Sequence, residues 1–301
     1  MEIKREKYLN ELINRRNNGL IKVITGLRRS GKSYLLFNIY YDYLIKTGVN
    51  ADNIITIPLD DYDYSELCDP GRLYEYIKER IKDKKQTYYI FIDEAQYAIS
   101  KEELKNPDIP IRLYGVLNGL LRRNNTDVYI TGSNSKFLSS DILTEFRGRG
   151  DEVHVAPLSF SEYLPASKKD KRDAWQDYLI YGGLPHIFSE PDDTAKSSYL
   201  ERLNREGIVE TRYMEHETRK RSQLEVDFIV NRNSERYYIQ SAFSLPTQEK
   251  INQECAALIR IPDSFKKIII TNNNTPVWRD EHGITFLNLF DFLLDENSLS
   301  V

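Results

Sequence analysis

Gly26-Leu27-Arg28-Arg29-Ser30-Gly31-Lys32-Ser33 decides how this chain of 301 residues is read. The run fits G-x-x-x-x-G-K-[ST], a phosphate-binding loop. Before it, Leu20-Ile21-Lys22-Val23-Ile24-Thr25 reads as a short apolar strand, and after it Tyr34-Leu35-Leu36-Phe37-Asn38-Ile39-Tyr40 reads as a helix. The plainer reading is a glycine turn with a chance Lys-Ser, and the strand–loop–helix context speaks against it. Gly26 and Gly31 permit backbone angles that a Cβ resists, so successive N–H groups can converge on an anion. The helix leaving the loop adds the positive end of its dipole. On this reading Lys32 reaches the β- and γ-phosphates and the Ser33 hydroxyl ligates Mg²⁺. Gly26, Leu27, Arg28, Arg29, Ser30, Gly31 and Tyr34 complete the nucleotide-binding stretch.

A second run supports the first. Gln86-Thr87-Tyr88-Tyr89-Ile90-Phe91-Ile92 suits a buried parallel strand and ends in Asp93-Glu94. Ligands of open α/β sheets sit at the C-terminal ends of the strands, so these acids are expected beside the loop. Asp93 would hold Mg²⁺, directly or through water, and Glu94 would polarise the attacking water. Taken alone, the pair reads better as the cap of a following helix; beside the loop that reading is the weaker one. A third strand, Asp127-Val128-Tyr129-Ile130-Thr131, ends in Gly132-Ser133-Asn134-Ser135. Ser133, with Asn134 as second choice, could feel the γ-phosphate, or the segment is simply a turn. In Arg147-Gly148-Arg149-Gly150, Arg149 and then Arg147 are candidates to meet developing charge at the γ-phosphate, in cis or from a neighbouring subunit.

Together these parts resemble AAA+-type P-loop ATPases, and most closely a bacterial and archaeal group with a C-terminal domain of unknown function related to restriction-nuclease folds. Thr25–Ser33, Ile92–Gln96, Thr131–Ser135, Gly148-Arg149, Pro157–Tyr163 and Tyr181-Gly182-Gly183-Leu184-Pro185 carry the likeness. The resemblance implies a sensor-type role for Ser133 and an arginine-finger role for Arg149. It also implies a prokaryotic source and an ATPase with ATP and Mg²⁺ as cofactors. Where family members carry a long helical stretch, this chain has only Ile187 to Arg221.

Leu224–Val230 and Tyr237–Ser241 resemble the C-terminal domain. Nucleases of that kind need acidic metal ligands and a Glu-x-Lys on an adjacent strand, whose lysine orients water. Glu225 and Asp227 stand at i and i+2, on one face of a strand. The partner strand offers Gln240-Ser241-Ala242, which lacks both the carboxylate and the ammonium. A vestigial nuclease fold without phosphodiester cleavage is the reading; a metal-dependent nuclease is the rival.

Composition agrees with a two-domain α/β chain. Hydrophobic residues make up 40%, enough for real cores, and the formal net charge of −4 gives no global attraction to nucleic acid. Cys68 and Cys255 are far apart, and the four histidines form no ligand pattern. No apolar run approaches the ~20 residues of a membrane span, so a cytoplasmic location without membrane contact is expected. Alternating strands and helices predict a P-loop parallel sheet flanked by helices over 1–160. A short helical segment and polar linker follow over 161–210, then a smaller α/β domain over 211–301. Paired tyrosines (Tyr88-Tyr89, Tyr237-Tyr238) are read as one ring inward and one outward. The expected function is slow Mg²⁺-dependent ATP hydrolysis used as a conformational switch, with ATP and ADP as ligands. A non-hydrolysing nucleotide-dependent scaffold for a protein or DNA partner is the further alternative. Arg149 acting in trans would require a homo-oligomer.

Overall fold

Parallel strands alternate with helices through the first half of the chain. In this computed structural model residues 3–106, 108–132, 149–205, 226–232, 235–273 and 275–300 are described. The chain divides into two units, residues 1–211 and 212–301.

In the first unit α1 (Glu6–Asn14) precedes β1 (Ile21–Thr25). The phosphate loop leads into α2 (Lys32–Tyr34), a π-helical stretch (Leu35–Tyr40) and α3 (Tyr41–Lys46). Then follow β2 (Ile54–Pro58), α4 (Pro70–Arg80), β3 (Tyr88–Asp93), α5 (Lys101–Lys105), α6 (Arg112–Leu121), β4 (Thr126–Thr131) and β5 (Gly150–His154). The five strands form one parallel sheet in the order β2-β3-β4-β1-β5. The phosphate loop leaves the C-terminal edge of β1, and this unit has the P-loop NTPase fold.

Both faces of the sheet are covered, which is why every residue of β1 and β3 is buried. On one face Leu12, Leu36, Tyr40 and Leu44 pack against Ile24, Phe91 and Tyr129. On the other, Leu73, Ile77, Leu113 and Leu117 pack against Val23, Ile57, Ile90 and Ile130. Each such fully buried aliphatic side chain contributes about 1.5–3 kcal/mol. The double cover also corrects the reading of the tyrosine pairs. Tyr88 and Tyr89 point to opposite faces, as strand geometry demands, but each face is core, so both are buried. Tyr237 and Tyr238 repeat this in the second unit.

After β5 come α7 (Phe160–Ser167), α8 (Lys171–Tyr181) and α9 (Asp193–Arg205). Ser159 and Glu162 close a capping box on α7. Asp170 caps α8, and Gly182, at φ +70°, ends it. Within 161–210, the stretch expected to be a polar linker is instead, over Asp193–Arg205, the helix α9. Tyr199 and Leu203, one turn apart, bury against Tyr181, Leu184 and Ile187. The apolar stripe of α9 is so narrow that its composition resembles a linker.

The second unit is a mixed five-stranded sheet in the order β6-β7-β8-β10-β9. Its strands are β6 (Phe228–Arg232), β7 (Glu235–Ala242), β8 (Lys266–Thr271), β9 (Trp278–Arg279) and β10 (Thr285–Asn288). β7, β8 and β10 run parallel, while β6 and β9 are antiparallel edges. Cys255 and Leu258 of α10 (Gln248–Ile259) share a core with Tyr238, Ile269 and Phe286. α11 (Leu289–Leu294) puts Leu289 and Phe292 on the opposite face, against Ile268, Ile270 and Leu287.

Candidate functional site

The phosphate loop is a tight arch with three left-handed backbone positions: Gly26 at φ +137°, Arg29 at +67° and Gly31 at +93°. Such alternation turns successive N–H groups to one side, which is the geometry of an anion nest. Gly26 is required for a second reason. A Cβ there would stand 2.1 Å from the carbonyl oxygen of Val155, just beyond β5. Lys32 is buried, and its Nζ donates to the carbonyls of Leu27 (3.0 Å) and Gly26 (3.2 Å). Burial holds the ammonium below the usual lysine range, against the pull of Glu94 and Asp93. Leu27, Arg28 and Arg29 are exposed, as is Tyr34 at the end of α2, while Ser30 is fully buried.

Sheet register brings the acidic end of β3 to this loop. Ile24 of β1 stands beside Thr131 of β4, and Ile92 of β3 beside Ile130. Asp93 therefore emerges next to Thr131, at the edge where the loop begins. Ser33 Oγ donates to Asp93 Oδ1 at 3.0 Å. Thr131 Oγ1 also donates to Asp93 Oδ1, and it accepts from the backbone N–H of Glu94 at 3.0 Å. Burial pushes the Asp93 carboxyl above the usual carboxylate range, the bonds from Thr131 and Ser33 pull it down, and Glu94 and Asp60 push it up again; the net direction is up. Glu94 sits in a left-handed conformation at φ +50°, and its Oε2 accepts from Gln96 Nε2. For a residue with a Cβ, this conformation is uncommon outside turns and functional sites.

The oxygen pair fits Mg²⁺. Cis ligands of an octahedral ion with bonds of 2.0–2.1 Å lie about 2.9 Å apart, and Ser33 Oγ and Asp93 Oδ1 are 3.0 Å apart. Among the described residues no group of three or more His, Cys, Asp or Glu could hold a metal. Mg²⁺ is commonly shared between one or two carboxylates and substrate phosphates.

Arg149 is elsewhere. Its carbonyl accepts from Ile21 N–H, at the start of β1, and its Nη1 donates to Asn118 Oδ1 of α6 at 3.1 Å. The length of β1, about 13 Å at 3.3 Å per residue, separates it from its own phosphate loop. An arginine finger in cis is therefore excluded for Arg149: the register Ile21↔Gly150 puts the start of β5 at the wrong edge of the sheet. Ser133, Asn134, Arg147 and Glu225 lie outside the described residues.

Sequence reading also missed residues. Thr131, which links the two acids, was read only as the end of its strand. The loop opens on a cleft of about 640 Å³. Besides Ser30–Tyr34 and Glu94, its walls include Arg5, Leu158, Pro185, Tyr199 and Arg202. These come from the approach to α1, from the segments flanking α7 and α8, and from α9, so no local pattern assembles them. Gly182-Gly183-Leu184-Pro185 gave the one signal. A Cβ on Gly183 would stand 2.2 Å from the carbonyl of Leu158, whose N–H donates to Gly183 O at 2.7 Å.

In the second unit Asp227 accepts from the backbone N–H of Ser241 at 2.7 Å. Gln240 Nε2 donates to Glu254 of α10 at 3.2 Å, and Lys250 pairs with the same carboxylate. Ala242 is buried in the core. Asp227 thus stands just before β6, and at the expected Glu-x-Lys position β7 carries Gln240 and Ala242, neither a carboxylate nor a lysine.

Comparison with known proteins agrees with the first unit. Residues 18–164 match the family model of an AAA domain. An uncharacterized protein of Haemophilus influenzae is 34% identical over 203 residues, which cover 66% of this chain and 47% of that protein. The uncharacterized protein MJ1544 of Methanocaldococcus jannaschii is 27% identical over 259 residues, covering 78% of this chain and 52% of its own. The chain thus spans about half the length of the curated relatives it matches. Among solved structures, AMPPCP-bound DnaA from Aquifex aeolicus is 16% identical with a TM-score of 0.41, over 67% of this chain and 62% of that one. No helix among the described residues is long and apolar enough to cross a membrane. Over residues 18–164, from just before β1 to within α7, the chain is similar to AAA domains.

Proposed function

We propose that the first unit binds ATP with Mg²⁺ and hydrolyses it slowly, using the γ-phosphate as a conformational switch. The observation that carries this reading is the 3.0 Å contact between Ser33 Oγ and Asp93 Oδ1 beside the buried ammonium of Lys32. The loop amides from Gly26 to Ser33 cradle the phosphates, and Lys32 exchanges its carbonyl partners for phosphate oxygens. Ser33 and Asp93 would hold Mg²⁺, which neutralises charge on the β- and γ-phosphates when bound. Glu94 orients and polarises the attacking water, and Thr131 fixes its backbone. In a phosphate-release assay with Mg²⁺, Glu94→Gln is expected to bind ATP as wild type does and to turn over at least about 100-fold more slowly. Unchanged release in that variant would remove Glu94 from the role.

Arg149 can act as a finger only on a neighbouring copy, which makes a homo-oligomer part of this reading. Phosphate release per subunit is then expected to rise with protein concentration; a constant rate, unaltered by Arg149→Ala, would refute the shared site.

For the second unit we propose a docking module that does not cleave phosphodiesters. The hydrogen bond from Gln240 to Glu254 and the buried Ala242 at the lysine position support it. Labelled DNA and RNA are expected to survive incubation with Mg²⁺ or Mn²⁺. Cleavage abolished by Asp227→Ala would establish the nuclease instead.

A further inference from the structure

The parallel sheet of the first unit has two edges, and they are finished differently. At β5, Arg15 and Asn18 donate to the two carboxylate oxygens of Asp151 (2.7 and 2.9 Å). Just beyond that strand Ala156 N–H donates to the Tyr8 hydroxyl at 3.1 Å. α1 is thereby tied to that edge. β2, the other edge, has no strand beside it among the described residues. Leu59 N–H donates to Asp93 O of β3 at 3.3 Å. By the alternation of an extended strand, Ile57 and Ile55 also turn their N–H and C=O groups to β3, and Ile54, Thr56 and Pro58 turn theirs outward. Pro58 thus falls where a missing N–H costs no ladder bond.

A cleft of about 380 Å³ opens beside this edge. Its lining includes Ile54, Ile55 and Thr56 of β2, Tyr76 and Arg80 of α4, and Lys82. Ile54 packs into the core on one face of the sheet and Ile55 into the core on the other. Consecutive residues of that kind can line one cleft only along the open edge, where their backbone lies. The cleft is basic, in a chain whose formal net charge is −4. Arg80 and Lys82 are exposed, and neither makes an ion pair among the described residues. The Arg80 guanidinium rests 3.3 Å from the centre of the Tyr76 ring and donates to Tyr76 O at 3.2 Å. The Tyr88 hydroxyl accepts from the backbone N–H groups of Lys82 (3.2 Å) and Asp83 (3.0 Å), which fixes the lysine beside the sheet. Asp52 also lines the cleft, so two cations stand there against one carboxylate. An open edge offers its backbone to an added strand, and the side chains beside it select which strand is taken.

We propose that β2 is a docking edge for an extended acidic segment of a partner protein, which adds to the sheet as a further strand and sets its carboxylates against Arg80 and Lys82. This cleft shares no lining residue with the one at the phosphate loop, so the proposal stands apart from the reading of that loop.

Fluorescence anisotropy on the full chain tests it, with a labelled heptapeptide of alternating valine and glutamate as the probe. This peptide is expected to bind at least about tenfold more tightly than the same peptide with lysine for glutamate. It should also bind at least about tenfold more tightly than a copy N-methylated on every amide, which keeps the charge and cannot complete a ladder. Arg80→Glu combined with Lys82→Glu should weaken binding by at least about tenfold. Thr56→Pro, which removes one outward N–H and no bond to β3, should weaken it by about fivefold, the size of one hydrogen bond. Should Thr56→Pro fail to fold, the N-methylated peptide tests the same ladder. No binding at about 1 mM peptide, or equal binding of the N-methylated copy, would overturn the proposal. Tighter binding of an oligothymidine than of the peptide would make the cleft a surface for nucleic acid, and a dimer in sedimentation that Thr56→Pro splits would make a second copy its occupant; either result overturns the proposal as well.

Discussion

The two ends of the central sheet each bury a lysine and an aspartate, and the two clusters are built to opposite ends. At the N-terminal edge, Lys22 Nζ donates to Asp127, to Leu20 O (2.9 Å) and to Asn18 Oδ1 (3.2 Å), which uses all three of its protons. Asp127 also accepts from Asn17 N–H (3.0 Å) and from the Tyr129 hydroxyl (2.8 Å), which lies 2.6 Å from that of Tyr40. Both charged side chains are buried, and each is answered from within the fold. At the C-terminal edge, Lys32 donates to two carbonyls of its own loop and makes no ion pair among the described residues. Asp93 meets two hydroxyls and no cation there. A closed cluster serves folding. An open one keeps binding capacity for a ligand that brings its own charge.

Breaking the closed cluster should have the largest effect. Lys22→Met strands Asp127 in the core, and removing one partner of a buried pair costs about 3–5 kcal/mol. Denaturant titration should register that loss, and adding Asp127→Leu should restore most of it. A single variant as stable as wild type would mean that Asp127 does not need its lysine. At the open end Lys32→Ala should behave in the opposite way. Stability without nucleotide should change by less than about 1 kcal/mol, since burial already disfavours the charge. ATP affinity should fall by at least about 100-fold, the loss of two charge-assisted phosphate contacts.

A smaller effect would sharpen the contrast. Thr131 and Tyr129 are both β4 side chains whose hydroxyls serve an aspartate, one at each end. Thr131→Val and Tyr129→Phe should each cost about 1–2 kcal/mol for a buried carboxylate that loses a donor. Only Thr131→Val should also slow phosphate release, by roughly tenfold, because only it loosens Asp93 and Glu94. Equal turnover in the two variants would erase the distinction between the edges.

What the sequence discloses follows the range of the interactions. The phosphate loop is legible because one contiguous stretch carries both the backbone angles and the lysine. Asp93 is legible because a buried parallel strand must deliver its last residue to the ligand edge. The role of Thr131 depends on β4 lying between β1 and β3, a fact of sheet order that no local spacing contains. Arg149 stood out as an arginine of the Arg147-Gly148-Arg149-Gly150 run, and the parallel register Ile21↔Gly150 sends it to the far edge. α9 escaped notice because two buried residues, Tyr199 and Leu203, suffice to dock it. Arg5 is separated by about 150 residues of chain from Ala156 and Glu162, the groups that hold it in the cleft wall.

The subtlest test uses pH. The pKa of Asp93 is raised by folding, mainly because burial disfavours its charged form. The unfolded chain therefore releases this proton at a lower pH than the folded one. Between the unfolded value, near 3.8, and the raised folded value, the contribution of Asp93 to stability declines as pH rises, and above that window the full cost of the buried charge remains. Asp93→Asn removes the cost. The variant should be more stable than wild type at neutral pH without nucleotide, and its advantage should shrink as pH falls through the window and vanish below it. The same substitution should abolish Mg²⁺-dependent phosphate release at every pH. Asp127, held by Lys22, should give the reverse result: Asp127→Asn should destabilise the protein at neutral pH, because the lysine loses its counter-charge. If Asp93→Asn also destabilises there, the carboxylate at the loop is answered from within the fold after all, and the two edges differ in position rather than in kind.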